Sequence, residues 1–379
     1  MQTRNISQFV KSDLKDKIVL LSGPRQVGKT TLAQSLSSNY SYLNYDVAEH
    51  RPLIMKMRWP KDVDLVILDE LHKMKDWKRW LKGIYDINKA SSAASPAIIV
   101  TGSARLDIAR KMGDSLAGRH FSYRLNPLTL KELAGELPAS LERLIKFGGF
   151  PEPFLKGRPD FYRRWQTSHL DMILRQDLLD LEQIRKISQI ETLVELLRHK
   201  VGTPCSYTSL SEDLQVDHTT VKRWLTALEN LFVIFKVLPH HRNVARAILR
   251  TPKYYFYDLG RVPDNAGARF ENLVALALIS EIDFIRDTQG RKLELSYLRN
   301  KQGQEIDFLV SEERNYLLAL ESKWSDEHPD SSFKAFFGRG KLSASHYVQL
   351  VGEASTRKEY DFGLMIEPAG AWLEKMPFL

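Results

Sequence analysis

The residues best suited to chemistry lie near the start of the chain. Gly23-Pro24-Arg25-Gln26-Val27-Gly28-Lys29-Thr30 follows the apolar run Ile18-Val19-Leu20-Leu21-Ser22 and opens the helix-forming run Thr31-Leu32-Ala33-Gln34-Ser35-Leu36. This spacing is GxxxxGK[ST], a loop whose glycines let backbone N–H groups face phosphates while a helix start adds positive potential. In that pattern Lys29 neutralises the β- and γ-phosphates of ATP and the Thr30 hydroxyl holds Mg²⁺. The loop from Gly23 to Thr31 is therefore the expected cofactor-binding segment.

A second acidic element follows in Val66-Ile67-Leu68-Asp69-Glu70. An apolar strand that ends in two acids buries charge at a cost unless the acids have a task. Asp69 is expected to orient the Mg²⁺ shell and Glu70 to polarise the attacking water. Another strand, Ala97-Ile98-Ile99-Val100-Thr101, leads into Gly102-Ser103.

A second acidic constellation stands near the end of the chain. Glu321 and Lys323 are two apart on the run Leu318-Ala319-Leu320-Glu321-Ser322-Lys323, so on a strand they share a face. Asp307 lies on the preceding run, joined through a turn near Glu313-Arg314-Asn315, and Glu271 opens an amphipathic helix upstream. Glu271, Asp307 and Glu321 on one surface can ligate Mg²⁺, with Lys323 offsetting charge on a phosphate under attack. The same residues also suit cross-strand salt bridging and a helix N-terminus, so the pattern by itself leaves both readings open.

Between these sites, Tyr207 to Leu214 and Thr219 to Leu228 form two amphipathic segments around the short turn Gln215-Val216-Asp217-His218. With the following run Phe232 to Val237 they predict a helix-turn-helix with a β wing. Thr219, Thr220, Lys222 and Arg223 then begin the recognition helix. Arg242 and Arg246, in a basic stretch from Lys236 to Lys253, are expected to track DNA phosphates from the wing. Protein contact is the alternative use of such a module.

These sites require elements to position them. Strands are predicted at Ile18–Ser22, Tyr42–Tyr45, Asp64–Leu68, Ala97–Thr101 and Phe121–Leu125, alternating with helices in the manner of a parallel α/β sheet. The 379 residues suffice for two or three domains, with 43% hydrophobic and 27% charged residues. The net charge of +8 favours an anionic partner. No apolar run approaches the roughly 20 residues of a membrane span, and Met1 to Asn5 has no signal-peptide character. Cys205 is the lone cysteine, which excludes an intrachain disulfide. The expectation is a cytoplasmic protein with no membrane partner.

The motifs GPRQVGKTT at Gly23–Thr31, LDE at Leu68–Glu70, TGS at Thr101–Ser103 and LAGR at Leu116–Arg119, with Gly148-Gly149-Phe150-Pro151, resemble those of a family of prokaryotic AAA+ ATPases. The resemblance implies a winged-helix segment and a C-terminal domain like the PD-(D/E)xK restriction-endonuclease fold. It also implies that Ser103, or else Thr101, contacts the γ-phosphate or the water. Arg119 would reach into a neighbouring subunit's site, although a plain surface arginine fits its position too. Ile306 stands where the motif's proline is expected before Asp307.

The expected architecture is α/β. An N-terminal P-loop AAA+ parallel-sheet domain occupies residues 1–127 and a helical lid 128–185. A winged helix-turn-helix follows at 186–257 and an α/β PD-(D/E)xK-like domain at 258–379. The expected function is ATP hydrolysis by a homo-oligomer, a hexamer among the options, acting on branched, duplex or single-stranded DNA. Glu70, Ser103 and Arg119 serve the ATPase, and Asp307, Glu321 and Lys323 a metal-dependent nuclease. The rival is a nucleotide-dependent switch whose last domain is a catalytically silent binding module.

Overall fold

The computed structural model describes residues 4–90, 95–104, 116–133, 141–178, 187–240, 251–338 and 342–378. The first sheet contains β1 (Ile18–Ser22), β2 (Tyr40–Asn44), β3 (Leu65–Asp69), β4 (Ala97–Gly102) and β5 (His120–Arg124). All pairs are parallel and the order is β2-β3-β4-β1-β5. β1 and β3 are buried along their whole length, as their unbroken Val/Ile/Leu runs require of strands covered on both faces. Each predicted strand is present, shifted at its ends by no more than two residues.

Insertion of β4 between β1 and β3 brings the ends of three strands side by side. Ser22 pairs with Gly102 and Asp69 with Thr101. The loop after β1, the acids after β3 and the hydroxyls after β4 therefore meet at the carboxyl edge, where ligands of open parallel sheets bind.

The second sheet contains β6 (Ile234–Pro239), β7 (Lys253–Phe256), β8 (Leu293–Arg299), β9 (Glu305–Glu312), β10 (Asn315–Lys323), β11 (Ala344–Val351), β12 (Lys358–Glu359) and β13 (Leu364–Pro368). Its order is β12-β13-β11-β10-β9-β8-β6-β7. β8, β9 and β10 form an antiparallel meander, whereas β10, β11 and β13 run parallel. This alters the domain division expected at residue 257. β6 pairs in parallel with β8 at Leu238↔Ser296, so the strands expected as a wing also form the edge of the C-terminal sheet.

The Ala266–Gln289 helix contacts β7, β8 and β10 of the second sheet and β5 of the first. Its N-cap Asn265 accepts a bond from the Ala268 N–H, and Gly290, in the left-handed conformation, ends it. Arg124 joins Asp283 (2.7 Å) and Asp287 (2.5 Å) on this helix, and Lys131 joins Glu281 (2.6 Å). These partly buried pairs fix the second sheet against the edge of the first. Among the described residues no helix is long and apolar enough to cross a membrane.

Candidate nucleotide site and C-terminal acidic cluster

The loop after β1 turns sharply at Gly23, where a Cβ would lie 2.3 Å from the Leu125 carbonyl oxygen. Gly28, at φ 97°, then sets the chain into the Lys29–Ser35 helix. Lys29 is buried, and its Nζ donates to the carbonyls of Gly23 (2.9 Å) and Pro24 (2.7 Å). Burial pushes its pKa down to about 8, opposed by the nearby Glu70 and Asp69 charges. An ammonium held by its own loop's neutral carbonyls can exchange them for phosphate oxygens.

Asp69 accepts bonds from Thr30 Oγ1 (2.9 Å), Tyr42 OH (2.8 Å) and the Thr101 hydroxyl. The Thr30 hydroxyl and the Asp69 carboxylate thus lie together, a hard-oxygen pair that fits Mg²⁺. Glu70 adopts the left-handed conformation at φ 54°, uncommon outside glycine. It accepts a bond from Ser103 Oγ at 3.2 Å, and His72 Nε2 lies 3.7 Å away. Burial raises the Glu70 pKa, the direction a general base near neutral pH requires, while Lys29 opposes it. Ser103 therefore meets the acid, whereas Thr101 meets Asp69.

Sequence reasoning anticipated Arg25 within the loop but left out Tyr42, His72 and Asp177, which the fold brings to this site. Arg25 reaches Asp177 through two bonds of 2.6 Å. His72 is mostly buried, and burial lowers its pKa to about 4. A cleft of about 440 Å³ beside the acids is lined by Tyr45, Arg51, His72, Lys73 and Asp177, with Leu231 from just after the His218–Asn230 helix. On the other side of the loop, a second cleft of about 730 Å³ is bounded by Arg4, Lys11, Gly28, Thr31, Pro151 and Leu155. Its position and its mixed apolar and polar walls suit a nucleoside. A larger depression of about 920 Å³ lies at the opposite, amino end of the strands, bounded by Ile18, Leu65 and Ala97, and includes none of the motif residues. The carboxyl end, where the loop and acids converge, is the candidate site.

Arg119 stands just before β5, at the far end of the sheet from Lys29. It pairs with Asp86 at 2.9 Å on the surface and takes no part in this chain's own site.

The C-terminal residues come together, but not as an open metal centre. The pairing Leu320↔Phe308 places Glu321 opposite Asp307 on adjacent strands. The Asp307 N–H donates to Glu321 Oε2 (3.1 Å), and Ser322 donates to Asp307 from its N–H (3.0 Å) and Oγ (2.7 Å). Lys323 Nζ contacts Glu321 (2.9 Å) and Asp330 (3.0 Å). Glu271 accepts from Tyr255 OH at 2.7 Å. Lys253, expected on a solvated basic wing, is wholly buried instead. Its Nζ lies 2.5 Å from Glu305, 3.2 Å from Glu271 and 3.4 Å from Asp307. Burial would lower the Lys253 pKa, but these three carboxylates hold it above the ordinary lysine value.

The expected ligand set of Glu271, Asp307 and Glu321 therefore does not fit a metal as arranged. Among the described residues no group of three or more His, Cys, Asp or Glu side chains is disposed to hold one.

In the middle region Ser206 caps the Tyr207–Leu214 helix and Asp217 caps the His218–Asn230 helix. Val221, Trp224, Leu225 and Leu228 are buried, leaving Lys222 and Arg223 exposed. Arg242 and Arg246 lie outside the described residues.

Residues 15–134 match the family model described as AAA domain. Two domains of unknown function match residues 138–267 (DUF8612) and 266–363 (DUF4143). The junction of the latter two falls at the start of the Ala266–Gln289 helix, although the second sheet crosses it. An uncharacterized protein of Mycobacterium tuberculosis is 28% identical over 249 residues, covering 64% of this chain and 54% of the relative. The chain thus spans about half the length of that relative. An uncharacterized protein of Methanocaldococcus jannaschii is 22% identical over 361 residues, covering 85% of this chain and 78% of that protein. A solved RuvB variant of Thermotoga maritima shares 17% identity with a TM-score of 0.32, covering 62% of this chain and 89% of its own. Motif geometry and the family match agree that residues 15–134 are an AAA domain of the P-loop, nucleotide-binding kind.

Proposed function

We propose that this protein hydrolyses ATP and applies the resulting conformational change to DNA. The carrying observation is the convergence of Lys29, Thr30, Asp69, Glu70 and Ser103 at the ends of three adjacent strands. In this reading Lys29 leaves its loop carbonyls for the β- and γ-phosphates. Thr30 and Asp69 would hold Mg²⁺, which supplies charge neutralisation on the phosphates. Glu70 takes the proton of the attacking water, and Ser103 orients the Glu70 carboxylate. The cleft bounded by Arg4 and Pro151 receives the nucleoside. Arg119 completes the site of an adjoining copy in a homo-oligomer.

DNA contact rests on exposed Lys222 and Arg223 at the start of a capped second helix, on the basic run of the sequence that includes Arg242 and Arg246, and on the net charge of +8. The C-terminal order of helix, antiparallel meander, helix and parallel strand supports the PD-(D/E)xK-like reading of its fold. The Lys253 contacts favour the quieter role for that domain, a binding module that does not cleave.

The test is steady-state ATP hydrolysis with Mg²⁺, with and without single-stranded, duplex and branched DNA. Turnover that DNA stimulates and Lys29→Ala removes is the expected result. Turnover indifferent to every DNA form leaves a nucleotide switch directed at another partner. Turnover unaffected by Lys29→Ala overturns the site assignment.

A further inference from the structure

The acidic cluster of the second sheet has a cation built into it. Glu271, Glu305 and Asp307 arrive from one helix and one strand and direct oxygens at a common point, Lys253 Nζ, which lies 2.5–3.4 Å from all three. The lysine comes from β7, in a segment distant from the meander that carries Glu305 and Asp307. It is wholly buried, and its ammonium lies 5.4 Å from the Tyr297 ring centroid. Space is tight on one side of Glu271 as well. A Cβ on Gly202 would stand 2.4 Å from a Glu271 carboxylate oxygen. The remaining acid, Glu321, is held by Lys323 and by the Asp307 N–H.

Partly buried carboxylates at such density need a compensating cation. A divalent metal could meet that need, with oxygens drawn in to about 2.0–2.6 Å. Here an ammonium already meets it, and a second cation in contact with it would be repelled. We infer that Lys253 is the resident cation of this cluster, standing where a divalent ion would otherwise bind and making the C-terminal centre independent of Mg²⁺ and Mn²⁺. The same contacts pin the hairpin that follows the helix-turn-helix to the C-terminal helix and sheet. This inference does not depend on the ATPase reading, because its test is run without nucleotide.

The experiment is Mn²⁺ binding to the full chain, read by electron paramagnetic resonance and by thermal denaturation. A Lys29→Ala background is common to every variant, so any Mn²⁺ drawn to Asp69 and Glu70 is the same in each comparison. Adding Asp307→Asn should leave Mn²⁺ binding unchanged, since the cluster holds no metal. Lys253→Ala, which opens room and leaves the acids uncompensated, should gain one Mn²⁺ site and a melting temperature that rises with Mn²⁺. Lys253→Met, neutral but similar in volume, should gain neither. A Mn²⁺ site in the Lys29→Ala protein that Asp307→Asn abolishes would overturn the inference. So would a folded Lys253→Ala protein with no new site. If Lys253→Ala cannot fold even with Mn²⁺, the Asp307→Asn comparison decides alone.

Discussion

Arg25 of the phosphate loop and Asp177 of the π-helical turn Ile173–Asp177 hold each other through two hydrogen bonds of 2.6 Å, across 152 residues of sequence. The preceding Pro159–Met172 helix adds His169, whose Nε2 lies 3.2 Å from the Arg25 carbonyl oxygen. The loop is thus gripped by the helical region at both the side chain and the backbone of one residue. Burial raises the Asp177 pKa, and the Arg25 guanidinium opposes that shift. A π-turn inside a helix is a local departure that often accompanies a functional contact.

Breaking this pair separates its structural role from any role toward nucleotide. Asp177→Asn should lower the stability of the nucleotide-free protein by about 2 kcal/mol, since it weakens a largely buried charge-assisted pair. If phosphates attract the released Arg25, ATP should raise the melting temperature of the variant more than that of the parent. Equal ATP-induced shifts would assign Arg25 to the helical region alone.

Glu70→Gln keeps the shape of the side chain but removes its basicity. ATP binding, measured by equilibrium titration, should persist, while turnover falls by about 10²-fold or more. Ser103→Ala should reduce turnover less, because the serine acts only through the Glu70 carboxylate at 3.2 Å. Normal turnover in Glu70→Gln would remove Glu70 from the role of base.

His72 supplies a pH signature. Its pKa is ordinarily 6.5 and falls to about 4 on burial, so the unfolded chain takes up the proton first during acidification. Its contribution therefore lowers folding stability as pH drops from about 6.5 to about 4, with the full neutral-state stability retained above that window. Denaturant unfolding across that range should show a shallower decline for His72→Asn than for the parent. Parallel profiles would mean that the buried imidazole is not the group responsible.

Arg119→Ala should leave nucleotide affinity near the parental value and lower turnover, since the residue lies outside its own chain's site. Mixing Arg119→Ala with Lys29→Ala chains is the decisive measurement. Recovered hydrolysis means that one copy's arginine serves another copy's phosphates. A fully active monomer would end that reading.

The readable part of the fold was the part whose signals are contiguous. Gly23 to Thr30 and Leu68 to Glu70 each carry their strand, turn and functional group within a few residues. Tyr42, Asp177 and Lys253 carry no such local mark. Tyr42 matters because β2 lies beside β3, and Asp177 because a helix returns to the loop. Lys253 sits in a basic run, and basic runs are usually solvated. Only the pairing of β6 with β8 and the approach of Glu271, Glu305 and Asp307 turn it inward. The same pairing moved the edge of the C-terminal sheet upstream of residue 258. A hairpin after a helix-turn-helix looks alike in sequence whether its strands end in solvent or join a larger sheet.

The helix-turn-helix reading has the most separable consequence. Lys222 and Arg223 project from the His218–Asn230 helix while its opposite face is buried, so replacing both with Gln changes charge with little effect on packing. For each phosphate no longer neutralised, the slope of log affinity against log salt should shrink in magnitude by about 0.9 on duplex DNA, or about 0.7 on a single strand. The double variant should therefore bind more weakly at low salt and converge on the parent as salt rises. Affinity measured from low to moderate salt checks both the intercept and the slope. An unchanged slope with unchanged stability would assign this helix to protein contact, because neutralising fewer phosphates must release fewer counterions.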